Sequence, residues 1–81
     1  MDLRDAHVGA LVEVTNFTSA QGILAGPKDI KNRRHDARGI VVSVQPKAGT
    51  FRGVVWVRHG GVIAPYWGSE LRLLGIKDPE G

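Results

Sequence analysis

Cysteine is absent, so neither a disulfide nor a thiolate metal site can staple this chain. That absence is compatible with a reducing compartment. No apolar run approaches the ~18 residues that a bilayer-spanning helix needs. The opening Met1-Asp2-Leu3-Arg4-Asp5 is charged and lacks the basic-then-apolar order of a signal peptide. A soluble, cytoplasmic protein is therefore expected, or a virion component if a phage encodes it. No long helical period survives either, which removes bundles and coiled coils from consideration. What remains is 81 residues, enough for one domain over residues 1–81. A chain this short buries only about 60% of its unfolded surface, and aliphatic side chains must build its core.

The formal charge of +3 hides an asymmetry. Residues 27–59 carry eight basic side chains (Lys28, Lys31, Arg33, Arg34, Arg38, Lys47, Arg52, Arg58) against Asp29 and Asp36, a net of +6. The rest holds Arg4, Arg72 and Lys77 against Asp2, Asp5, Glu13, Glu70, Asp78 and Glu80, a net of −3. A basic middle with acidic ends can attract an anionic partner or complement a second copy. Charge alone favours the plainer reading, a mixed, solvated surface.

The apolar clusters are short, rich in valine and bounded by glycine or proline, as strands are. Val8–Thr15 reads as the first strand. A long polar stretch, Asn16–Ala37, follows, with Gly22-Ile23-Leu24-Ala25 as a short strand or an anchor that tucks it down. Two similar segments come next, Arg38–Val44 and Arg52–Arg58, read as antiparallel neighbours joined through Pro46-Lys47-Ala48-Gly49-Thr50. Gly60-Gly61 predicts a two-residue hairpin, because both central positions of a type I′ turn need positive φ. Val62–Tyr66 returns as a fourth strand, its Pro65 fit only for an edge or a strand end. Gly68-Ser69-Glu70 reads as one helical turn before Leu71–Leu74 closes the sheet. Residues 76–81 read as a frayed tail, and Lys28–Ala37 as mobile.

This order of strands and loops, from about residue 7 to residue 75, resembles the SH3-like small barrels of bacterial and phage proteins, Tudor-like ones included. Val8-Gly9 with Val12 and Val14, Gly39, Val55 and Val57 before Gly60, and Leu71 with Leu73 carry the likeness. The resemblance implies an all-β fold with one five-stranded barrel, a long loop after the first strand and a short helical turn before the last. It identifies a fold better than a function. The Ala-Leu-Tyr-Asp-Tyr segment of the peptide-binding SH3 domains is missing. The long loop is basic where theirs is acidic, which argues against proline-rich peptides as ligands.

Alternation fixes faces along a strand. Placing Ile40, Val42 and Val44 inward leaves Val41, Ser43 and Gln45 outside. Placing Val55 and Val57 inward leaves Arg52, Val54, Trp56 and Arg58 outside and avoids burying Arg58. A tryptophan between two arginines then faces outward, to be covered by the long loop, the N-terminus or a partner. Arg52, Trp56 and Arg58, extended by Tyr66 and Trp67, form the candidate partner-binding face. One of the last two can instead fill the open end of the barrel.

The first functional reading is a non-enzymatic binding or assembly module, self-associating or built into a larger structure such as a phage particle. The alternative is nucleic-acid binding, with Trp56 stacking on a base and Lys28, Lys31, Arg33, Arg34 and Arg38 meeting phosphates. Enzymatic activity stands last. His7, His35 and His59 lack metal-ligand spacing, the serines lack a nucleophile motif, and Glu13 and Glu70 have no evident carboxylate partner. No cofactor is implied. Val62-Ile63-Ala64-Pro65-Tyr66 loosely resembles the Val-Gln-Ile-Tyr motif of the trimethoprim-resistant dihydrofolate reductases, small barrels that assemble as tetramers, although it adds a residue and a proline.

Overall fold

The computed structural model describes residues 6–76. The charged Met1–Asp5 segment and the tail from residue 77 onward lie outside the described residues. Five strands follow in chain order: β1 (Ala10–Val14), β2 (Arg38–Gln45), β3 (Val54–His59), β4 (Val62–Tyr66) and β5 (Leu71–Ile76). They form one antiparallel sheet in the order β4-β3-β2-β1-β5. The fold is all-β with little helix. The hydrogen-bonded ladder is open at β4 and β5, so no strand pairing closes it into a ring.

Local chemistry accounts for most of the boundaries. Gly9 turns with φ of 95°, which ends the leading segment and delays β1 to Ala10. Gly60 and Gly61, at φ of 57° and 83°, make the expected tight hairpin between β3 and β4. The β2–β3 connection folds back through paired hydrogen bonds between Ala48 and Phe51. Gly68–Glu70 forms a single 3₁₀ turn directly before β5. β4 matches its expected span residue for residue and lies at an edge, where the missing N–H of Pro65 leaves no gap in a central ladder.

The interior draws on every strand. Ala10, Val12, Val14, Val41, Val55, Val57, Ala64, Tyr66 and Leu71 form one buried cluster, with Ala6 packed at its end. Val55 and Val57 point inward as expected. The β2 expectation holds for Ser43, Val44 and Gln45 and fails before them. Val41, placed outside by simple alternation, is fully buried, while Ile40 and Val42 are only half-buried. The cause is a bulge: Val41 pairs with Val57, but Ser43 pairs with Trp56, so Val42 is an extra residue. The insertion resets the side-chain phase and returns Val44 to the core side.

The long connection is more ordered than its polarity implies. Ile23 anchors it as a buried side chain rather than as a strand, and Leu24 beside it is exposed. Pro27–Lys31 forms a short helix, α1, which Pro27 starts because its fixed φ suits the first helical turn. Arg33, expected in a mobile stretch, is buried.

Candidate functional site

The outer face of the sheet divides along β3. Val54 and Trp56 point away from the main core, and the long connection lies over them. Ile23, Val54 and Trp67 form a second buried cluster, joined by the half-buried Ala20, Ala25, Ile30, Phe51 and Trp56. The cover over Trp56 therefore comes from within the chain.

One carboxylate fastens this cover. Glu70 is fully buried and pairs with the guanidinium of Arg33. It also accepts hydrogen bonds from the Thr18 amide at 2.7 Å, the Thr18 hydroxyl at 3.0 Å and the Trp67 amide at 2.9 Å. Arg33 donates to the Thr18 carbonyl at 3.3 Å. Its guanidinium lies 4.8 Å from the centroid of Phe17 and 5.3 Å from that of Tyr66. The Trp67 indole N–H donates to the Ser19 carbonyl at 2.9 Å. Every partner but Trp67 and Tyr66 belongs to the long connection, so Glu70 and its turn clamp that segment to the sheet.

The cover stops short of the next residue facing outward on β3. Arg58 is exposed, and no carboxylate among the described residues pairs with it. In register beside it stand Ile63 of β4 and Ile40 of β2, and Leu11 of β1 follows Ile40. Ile63 and Leu11 are 42% and 38% exposed and Ile40 is half-buried, so this row lies at the surface. Arg58, Ile40 and Leu11 line an open cleft of about 570 Å³ together with Arg38, His59 and the glycines Gly39, Gly60 and Gly61. Gly39 is needed there, because a Cβ at that position would lie 2.2 Å from the Arg58 carbonyl oxygen.

Next to the stripe, Glu13 accepts from Arg38 Nε at 2.9 Å and from Arg72 at 2.7 Å. These two guanidinium bonds hold the Glu13 carboxyl below its usual range. Among the described residues this half of the face thus carries three guanidiniums and one carboxylate, with Arg58 outside the Glu13 pairs. His59 turns inward, where its Nε2 shares a 2.6 Å hydrogen bond with the Tyr66 hydroxyl. That hydroxyl also accepts from the Arg34 amide at 2.8 Å. Burial holds the His59 imidazole below its ordinary pKa and raises that of the Tyr66 phenol.

The residues proposed from sequence do not form one face. Tyr66 and Trp67 are buried, Tyr66 in the main core and Trp67 under the cover, so neither offers a ring to a partner. Trp56 is half-buried. Arg52 lies over the Trp67 ring at 4.4 Å and donates to the Ser69 hydroxyl at 3.3 Å, away from Arg58. The basic stretch also disperses: Arg33 is inside, Arg34 donates to the carbonyls of Lys31 and Arg33, Arg38 holds Glu13, and Lys28 and Lys31 ride on α1. Among the described residues Arg58 is exposed on the strand face with no carboxylate partner. Sequence reasoning missed Leu11, Ile40 and Ile63, whose signal was an aliphatic side chain at an outward strand position beside an arginine.

His35 and Asp36 pair at 2.8 Å on the surface, with Asp36 in the left-handed region at φ of 63°. Among the described residues no group of three or more histidine or acidic side chains is placed to hold a metal ion, and no helix is long and apolar enough to cross a membrane. Against known proteins, the chain matches no family, and neither the curated proteins nor the solved structures contain a detectable relative.

Proposed function

We propose that this chain is an SH3-like small barrel that works as a non-enzymatic protein-binding module, docking a partner on the uncovered half of its outer face. The barrel reading is supported by the single interior cluster that takes side chains from all five strands, as a sheet curled on itself requires. The observation that carries the binding reading is the row Leu11–Ile40–Arg58–Ile63. Arginine is one of the residues enriched at interface hot spots, and here partly accessible aliphatics on both sides can shield its contact from water.

Nucleic-acid binding through aromatic stacking has less support, since it needs accessible rings. Tyr66 and Trp67 are internal, Trp56 is half-covered, and two of the loop cations are engaged with Glu70 and Glu13.

A displayed random-peptide library selected on the wild-type chain tests this reading. Peptides are expected to be enriched and to lose binding to a Leu11→Glu/Ile63→Glu variant whose near-ultraviolet circular dichroism matches wild type. Failure to enrich any peptide, or equal binding to both chains, defeats the proposal. Light scattering over a concentration series identifies a second copy of the chain if that is the partner.

A further inference from the structure

The open half of the face also constrains what kind of protein segment fits it, given the protein-binding reading above. Among the described residues three guanidiniums (Arg38, Arg58, Arg72) share it with the carboxylate of Glu13, which two of them already occupy. Arg58 is left with its full hydrogen-bonding fork unused among the described residues. On either side of it, within one strand spacing of about 5 Å, lie Ile40 and Ile63, with Leu11 one strand further. Gly39, Gly60 and Gly61 are among the cleft's lining residues, so no side chain at those positions blocks the approach of a main chain.

We infer that the cleft takes an acidic–aliphatic protein segment, with one carboxylate held by Arg58 and aliphatic side chains laid over Leu11, Ile40 and Ile63. Charge complementarity selects the carboxylate. Arginine grips one through two parallel N–H bonds, and the surrounding aliphatics exclude water from that contact. A phosphodiester would satisfy Arg58 but would leave the three aliphatic side chains without apolar contact. Of the chain's own acidic residues, Asp78 and Glu80 lack aliphatic neighbours, whereas Asp2 stands between Met1 and Leu3, so Asp2→Asn is expected to leave peptide binding unchanged if the cleft serves a separate segment.

The test is a double-mutant cycle between enriched peptides and Arg58. Replacing the critical Asp or Glu of a peptide by Asn or Gln is expected to weaken binding to the wild-type chain by about tenfold or more. The same replacement is expected to make little difference on Arg58→Gln, and Arg58→Lys should restore part of the loss. Enriched peptides without acidic residues, or equal losses on wild type and Arg58→Gln, overturn the inference. In that outcome sensitivity to Leu11→Glu/Ile63→Glu would still uphold the protein-binding reading, so the two can fail separately. Tighter binding of a single-stranded oligonucleotide than of any selected peptide, falling steeply with salt, overturns both.

Discussion

Trp56 and Arg58 stand two residues apart on one strand and point the same way, yet they meet opposite fates. The chain folds its longest connection over Trp56 and stops before Arg58. The difference lies in what each side chain needs. Indole area is expensive to leave in water, and Ile23, Val54 and Trp67 complete a second small core around it. Arginine needs no cover, only a hydrogen-bonding counterpart, and nothing among the described residues supplies one. An outward tryptophan on a small domain therefore reports on the domain's own loops before it reports on a partner.

The sharpest way to break this contrast is to release the clamp. Glu70→Ala leaves the Arg33 guanidinium buried without its carboxylate and is expected to cost about 3–5 kcal/mol in urea unfolding. Both tryptophans of the chain sit at the covered half, so tryptophan emission should also shift to the red in any folded fraction. A loss below about 1 kcal/mol would show that the apolar contacts hold the cover unaided.

Trp56→Ala should cost about 2 kcal/mol, less than a fully buried indole because the ring is half-exposed. A change near zero in the same unfolding experiment would return Trp56 to the role of a contact residue.

Acid offers a milder probe of the hairpin end. His59 is held below its ordinary pKa by burial, so the unfolded chain takes up a proton more readily than the folded one. Its stabilising effect is present above the unfolded value near 6.5 and is lost as pH falls from there through the depressed folded value. The midpoint of urea unfolding should fall across that window, and His59→Gln should flatten the profile there. The separate loss associated with Glu13 begins lower, below its ordinary value of 4.5, because its folded pKa is also depressed.

The smallest expected effect completes the comparison. Arg58→Ala should change stability by no more than about 0.5 kcal/mol, since the side chain is exposed and unpaired among the described residues. A large destabilisation would mean that Arg58 supports the fold and would remove it from the proposed interface.

Much of the fold was legible because its punctuation is local. Valine-rich runs between glycines gave the strands, Gly60-Gly61 fixed the hairpin, and Pro65 pointed to an edge. The bulge at Val42 was not legible, because the β-branched run Ile40-Val41-Val42 carries no mark where one residue is surplus to the ladder. Nor was the Arg33–Glu70 pair, whose members are 37 residues apart and meet only after the sheet forms. These two features govern the site: the first decides which valines line the core, and the second removes a cation from the surface and pins the cover. The arginine-flanked tryptophan was placed on the correct side of β3, but its neighbours across the ladder, Ile40 and Ile63, emerge only from the register.

The guarded state of β4 has a consequence for how copies of this protein can stack. Fibrous growth by strand pairing requires two joinable rims on every subunit. Here Pro65 removes a donor from one rim, α1 packs against it, and the Asn32 amide donates to the Ile63 carbonyl at 3.3 Å. These features disfavour strand addition at β4, so strand-to-strand joining is directed to the β5 rim and an endless ribbon is disfavoured.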